Sequence, residues 1–161
     1  MTKKQARPDL TAAALASLTA AALCTTVNVA EPFAHGTWLV AYLVLVGFLA
    51  QLLLGRGQAA LLPAHDLPAP PRDVRLAQAL LWNLGVVAVP LGVLAETRLA
   101  VVVGSVSLLA ALASLWKTAR PALVGAIKSR SRGAVGYAAL LVCMTVSVFV
   151  GSALAWDIPW A

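Results

Sequence analysis

Five long stretches of this chain carry no charged side chain, and their lengths decide what it can fold into. Between Asp9 and Glu31 lie 21 uncharged residues, and between Glu31 and Arg56 lie 24. Arg75 and Glu96 enclose 20, Arg98 and Lys117 enclose 18, and Arg132 and Asp157 enclose 24. A helix rising ~1.5 Å per residue needs about 20 residues to cross ~30 Å of hydrocarbon. All five stretches qualify, the fourth being the shortest. The expected fold is all-α, an integral membrane bundle in a single domain. Its five transmembrane helices fall at about residues 10–30, 33–55, 75–95, 98–116 and 134–156, with cytoplasmic loops at 56–74 and 117–133.

Composition supports lipid as the solvent. The chain is 61% hydrophobic and 11% charged, where soluble domains run at about 45–50% and 25%. A net charge of +6 would suit a nucleic-acid binder, but no basic domain lies outside the hydrophobic spans. The cations read instead as loops facing anionic lipid, with no nucleic-acid partner expected.

A cleavable signal peptide competes for the first span, since Lys3, Lys4 and Arg7 resemble a charged leader start. The apolar run from Leu10 to Ala30 exceeds the usual h-region of about 7–15 residues, so a retained helix is expected. Alternating the five spans puts Lys3, Lys4, Arg7, Arg56, Arg72, Arg75, Lys117, Arg120, Lys128, Arg130 and Arg132 on one face and Arg98 alone on the other. That partition predicts a cytoplasmic N-terminus and an external C-terminus, in the plasma membrane of a bacterium. Removing any one span would scatter the basic loops across both faces.

The short links at Glu31-Pro32 and at 96–98 make helices 1–2 and 3–4 antiparallel neighbours. Pro63, Pro68, Pro70 and Pro71 keep the first cytoplasmic loop mostly extended. In the second, Arg120-Pro121 is a possible start for a surface helix, with Leu123, Val124 and Ile127 on one face; an ordinary basic loop is the alternative. Lys117, Arg120, Lys128, Arg130 and Arg132 are the candidate contacts to anionic headgroups. Trp38, Trp116, Trp156 and Trp160 lie near span ends, as interfacial anchors do. Trp82 lies deeper and needs a partner for its indole N–H.

Candidate chemistry is sparse. No ionised side chain falls mid-span, which argues against a proton pump or an ion channel built from one copy. No nucleophile–base set, phosphate loop or zinc spacing occurs, and the chain reads as a non-enzyme. His35 opens the second helix at the outer face and His65 lies in the first cytoplasmic loop, so ~30 Å of membrane keeps one copy from using both on a metal or haem. A bis-histidine site needs a homodimer presenting two copies of His35; the plainer reading is an interfacial residue paired with Glu31. Cys24 and Cys143 differ in depth by roughly 10 Å, too far for a disulfide, and read as small buried side chains.

Intramembrane polar residues point further. Tyr42, Gln51, Gln78 and Asn83 sit within the second and third spans. Gln51 and Gln78 are near the cytoplasmic ends, where antiparallel packing is expected to bring them together. The four either hydrogen-bond helix to helix, at ~0.6 kcal/mol a pair, or line a polar pocket between helices 2 and 3. Pro90, between Gly85 and Gly92, removes a backbone bond to Val86 and is expected to kink helix 3. Ala12/Ala16/Ala20, Ser107/Ala111 and Ser147/Gly151 mark expected contact faces.

Gly47-Phe48-Leu49-Ala50-Gln51 with Gly55, Leu61-Leu62-Pro63, Leu81-Trp82-Asn83-Leu84-Gly85 and the run from Ser107 to Trp116 form a pattern. It resembles small bacterial and archaeal membrane proteins that are themselves similar to a fragment of subunit I of the haem–copper oxidases and nitric-oxide reductases. The resemblance spans residues 47–121 and implies a respiratory-membrane setting. In that family one or two histidines precede the glycine of helix 2 as haem or metal ligands. Here Val40 and Tyr42 hold those positions, so haem ligation has either moved to His35 or been lost.

Three functions follow as expectations: a non-enzymatic accessory or assembly subunit of a larger, respiratory membrane complex; a haem- or metal-binding homodimer using His35; and an oligomeric small-molecule carrier or channel around Asn83, Gln51 and Gln78.

Overall fold

The computed structural model of the protein describes residues 10–33, 35–129 and 131–157, with side chains at 12–33, 35–125 and 131–152. Lys3, Lys4, Arg7, Arg130 and Trp160 lie outside the described residues, as do the side chains of Lys128 and Trp156.

Among the described residues every regular element is a helix. Helix α1 covers Leu10–Ala30. Helix α2, over residues 36–61, is composite: α-helical at Gly36–Tyr42, π-helical at Leu43–Ala50 and α-helical again at Gln51–Leu61. A 3₁₀ turn at Pro63–His65 follows. Helices α3, α4 and α5 cover Arg72–Leu94, Arg98–Ser129 and Arg132–Asp157. Among the described residues five helices are long and apolar enough to cross a membrane.

Two boundaries differ from the sequence reading. Helix α2 runs past Arg56 to Leu61, and α4 continues through Lys117 and Pro121 to Ser129, where a loop was expected. Charges mark the edge of an apolar stretch, not the end of a helix. Pro121 removes one ladder bond but leaves its neighbours intact. At ~1.5 Å per residue α4 is about 48 Å long, well beyond ~30 Å of hydrocarbon.

The reversals are set by local chemistry. Pro71 immediately precedes α3, and the prolines at 68, 70 and 71 keep that approach extended. After α3, Thr97 N–H donates to the Gly92 carbonyl at 2.8 Å and Glu96 N–H to the Val93 carbonyl at 3.4 Å. That is a Schellman ending with Glu96 at its left-handed position, φ 52°. Leu67 N–H to the Leu62 carbonyl and Asp66 N–H to the Pro63 carbonyl repeat the motif, with Asp66 at φ 54°. His35 enters α2 with φ 64°, and its carbonyl accepts from Leu39 N–H.

The core lies among α2, α3, α4 and α5, around Leu54, Trp82, Leu112, Leu115 and Leu141. The α3–α4 pairing is the most intimate. A methyl added at Gly104 would lie 2.7 Å from a Val89 side-chain carbon and 2.8 Å from the Val89 backbone nitrogen. Helix α1 flanks the bundle on the π-helical part of α2, where Gly47 faces Ser17. Its buried small residues are Ala14 and Ala21; Ala12 and Ala16, in the expected stripe, are exposed. Ser147 and Gly151 are exposed too, whereas Ser107 and Ala111 are buried contacts as expected. Cys143 is exposed and Cys24 half-buried, which corrects their expected burial. Outward faces carry Leu23, Leu45, Leu80, Val106 and Phe149 in the open, an apolar surface suited to lipid or to other helices.

Candidate functional site

A column of polar groups runs through the bundle interior, and it begins on α2. In a regular α-helix, at ~100° per residue, Tyr42 and Gln51 would sit on opposite faces. The wider turn of the π-helical segment takes up more residues per turn and returns both to the face that meets α3. Tyr42 stacks on Trp38, with centroids 5.3 Å apart, and its hydroxyl donates to the Gly85 carbonyl at 3.4 Å. Nearer the 62–71 end, the Trp82 indole N–H donates to the Val46 carbonyl at 3.3 Å, the partner its depth called for.

Gln51 follows. Its Nε2 donates to Asn83 Oδ1 at 3.1 Å, and Asn83 Nδ2 donates to the Ala79 carbonyl at 2.8 Å. The expected meeting of Gln51 with Gln78 does not occur. Gln78 turns toward α4, where Nε2 lies 3.2 Å from Ser114 Oγ and 3.4 Å from Thr118 Oγ1. Five residues separate Gln78 from Asn83, about 140° around the helix, enough to aim one at α4 and the other at α2. Thr118 Oγ1 also accepts from Gln58 Nε2 at 2.7 Å, and it donates to a carbonyl of its own helix, Ser114 at 3.1 Å or Leu115 at 3.0 Å. Gln58, Ser114 and Thr118 were not singled out in the sequence. Gln58 lay beyond Arg56 in an expected loop, yet Arg56 is exposed and Gln58 only 7% exposed, on a face pointing inward.

The column joins α2, α3 and α4, and Tyr137 ties in α5. Its hydroxyl donates to the Leu54 carbonyl at 3.4 Å, and its ring lies over Gly57, where an added methyl would meet Cδ2 at 2.5 Å. Gln51, Gln78 and Gln58 are all buried. Three buried atoms have no hydrogen-bond partner among the described residues: Gln51 Oε1, His65 Nε2 and Arg75 Nε.

The remaining candidates lie at the ends. His35 is exposed before Gly36, and His65 stands beside Gly125 of α4 at the opposite end. Among the described residues no three His, Cys, Asp or Glu side chains gather as metal ligands. Arg56, Arg72, Lys117, Arg120 and Arg132 are exposed at the end that carries the 62–71 turn, and Arg98 is exposed at the other. No family model, curated protein or solved structure matches the chain.

Proposed function

We propose that the chain is a multi-pass plasma-membrane protein, with its N-terminus cytoplasmic and its C-terminus outside, acting as a non-enzymatic accessory or assembly subunit of a larger membrane complex. Five helices of spanning length support insertion, and eleven of twelve basic residues on one face support the orientation.

The observation that carries the subunit reading is the engagement of the interior polar groups with one another. Gln58, Gln78, Asn83, Thr118, Trp82 and Tyr137 bond helix to helix. A carrier needs polar side chains open to a wet path; these hold the bundle together. What is left for neighbouring proteins and lipids is an apolar outer surface and a basic rim. Those surfaces suit neighbouring helices and anionic headgroups. A respiratory membrane is the setting favoured by the likeness over residues 47–121.

Purification from the native membrane in mild detergent tests this. A membrane protein retained in fixed stoichiometry is the expected result, and a solitary, monodisperse chain would overturn it. A Soret band from haem-replete cells, lost in His35→Ala, would replace it with the haem-binding reading.

A further inference from the structure

We propose that Gln51 is the acceptor of a buried site between α2 and α3 for one small, uncharged hydrogen-bond donor of about the size of water. A glutamine amide offers two N–H donors and a carbonyl with two lone pairs. Gln51 is 0% exposed, so bulk solvent does not reach them. Its Nε2 donates to Asn83 Oδ1 at 3.1 Å.

That bond fixes which end of each amide is which. Asn83 Nδ2 is committed to the Ala79 carbonyl at 2.8 Å, so Oδ1 is the atom facing Gln51 and only a nitrogen can meet it. Turning the Gln51 amide over would set oxygen against oxygen. Oε1 is therefore held in a fixed place, buried, with no donor among the described residues.

Two other side-chain donors of the α2–α3 seam are engaged elsewhere. The Trp82 indole is engaged with Val46 and the Tyr42 hydroxyl with Gly85. The unpartnered Oε1 calls for a donor, and the second amide N–H of Gln51 can meet a lone pair of the same small molecule.

Charge narrows the class. Gln51 sits among Gly47, Ala50 and Leu54 on α2 and Asn83 across from it, none of them ionisable. An ammonium or metal ion placed there would have no counter-charge in a low-dielectric interior, so the occupant is neutral. One chemistry then has two sources: a resident water, or a small neutral solute such as ammonia passing through the bundle.

The test uses full-length, ¹⁵N-glutamine-labelled protein in lipid nanodiscs, with Gln51 assigned through its backbone resonances. Cross-relaxation between the Gln51 side-chain amide protons and long-lived water is expected. Proteoliposomes separate the sources. Water or ammonia flux severalfold above empty vesicles, and reduced in Gln51→Met, assigns a passing solute; flux equal to empty vesicles with the water signal present assigns a resident molecule. Neither a water signal at Gln51 nor flux above empty vesicles, with the Trp82 indole resonance at its folded position, overturns the proposal.

Discussion

The indole Nε1 of Trp82 donates to the Val46 carbonyl at 3.3 Å, linking α3 to the middle of the π-helical segment of α2. Trp82 is 2% exposed and stands in the main core. Its bond gives a carbonyl inside a non-α stretch a partner from another helix. Trp82→Phe keeps a ring in the core and deletes the donor. The expected loss is on the order of 1–2 kcal/mol, a hydrogen bond plus some packing. Denaturant or SDS titration of the reconstituted protein measures it. An unchanged midpoint would mean that the Val46 carbonyl has no need of the indole.

Thr118 is the shared acceptor of Gln58 at 2.7 Å and Gln78 at 3.4 Å. Thr118→Val keeps the shape and removes the hydroxyl, which leaves the Gln58 donor unpaired in the interior. The cost of an orphaned buried donor is about 1–3 kcal/mol, more than the value of the bond itself. Ser114→Ala removes only one partner of Gln78, which retains Thr118. Thr118→Val is therefore expected to lower the unfolding midpoint more than Ser114→Ala. The reverse order would place the critical bond at Ser114.

Gly104 and Gly136 make opposite predictions for one substitution. In Gly104→Ala the new methyl meets Val89 backbone nitrogen at 2.8 Å, so α3 and α4 must separate. Overpacking of this kind costs about 1–3 kcal/mol. Nothing lies within 4 Å of a methyl on Gly136. There alanine is expected to be neutral or to stabilise α5 by up to about 1 kcal/mol, through helix propensity. Unfolding midpoints of the two variants, measured side by side, check the difference in sign.

The sequence made the five helices legible because apolar length is a one-dimensional property, and the α3–α4 hairpin followed from a three-residue link. Helix ends were less legible. Arg56 and Lys117 read as limits of their spans, but α2 and α4 run on past both, and Gln58 and Thr118 were lost with the supposed loops. Tyr42, Gln51, Gln78 and Asn83 were visible as polar residues in apolar surroundings, whereas their pairing was not. That depends on which face each residue occupies. No hydrophobic period reveals eight residues of π-helix, and those residues decide that Gln51 reaches the face of α2 that meets Asn83, whereas Gln78, five residues before Asn83 on α3, faces α4. The contact face of α1 was misread for a related reason. In an alanine-rich helix every face carries small residues, and the packing on α2, not the sequence, selects Ala14 and Ala21.

Orientation is open to a direct chemical test. Ala69, in the extended approach to α3, and Ala95, at the end of α3, are both exposed and lie at opposite ends of that helix. With Cys24 and Cys143 replaced by alanine, each position can carry the protein's single thiol. The distribution of basic residues puts Ala69 among the cations and Ala95 beside the lone Arg98. Whole cells treated with a membrane-impermeant maleimide are expected to label Ala95→Cys at once and Ala69→Cys only after permeabilisation. Labelling of Ala69→Cys alone in intact cells would reverse the orientation. Equal labelling of both in intact cells would remove the membrane between them, and with it the reading of α3 as a spanning helix.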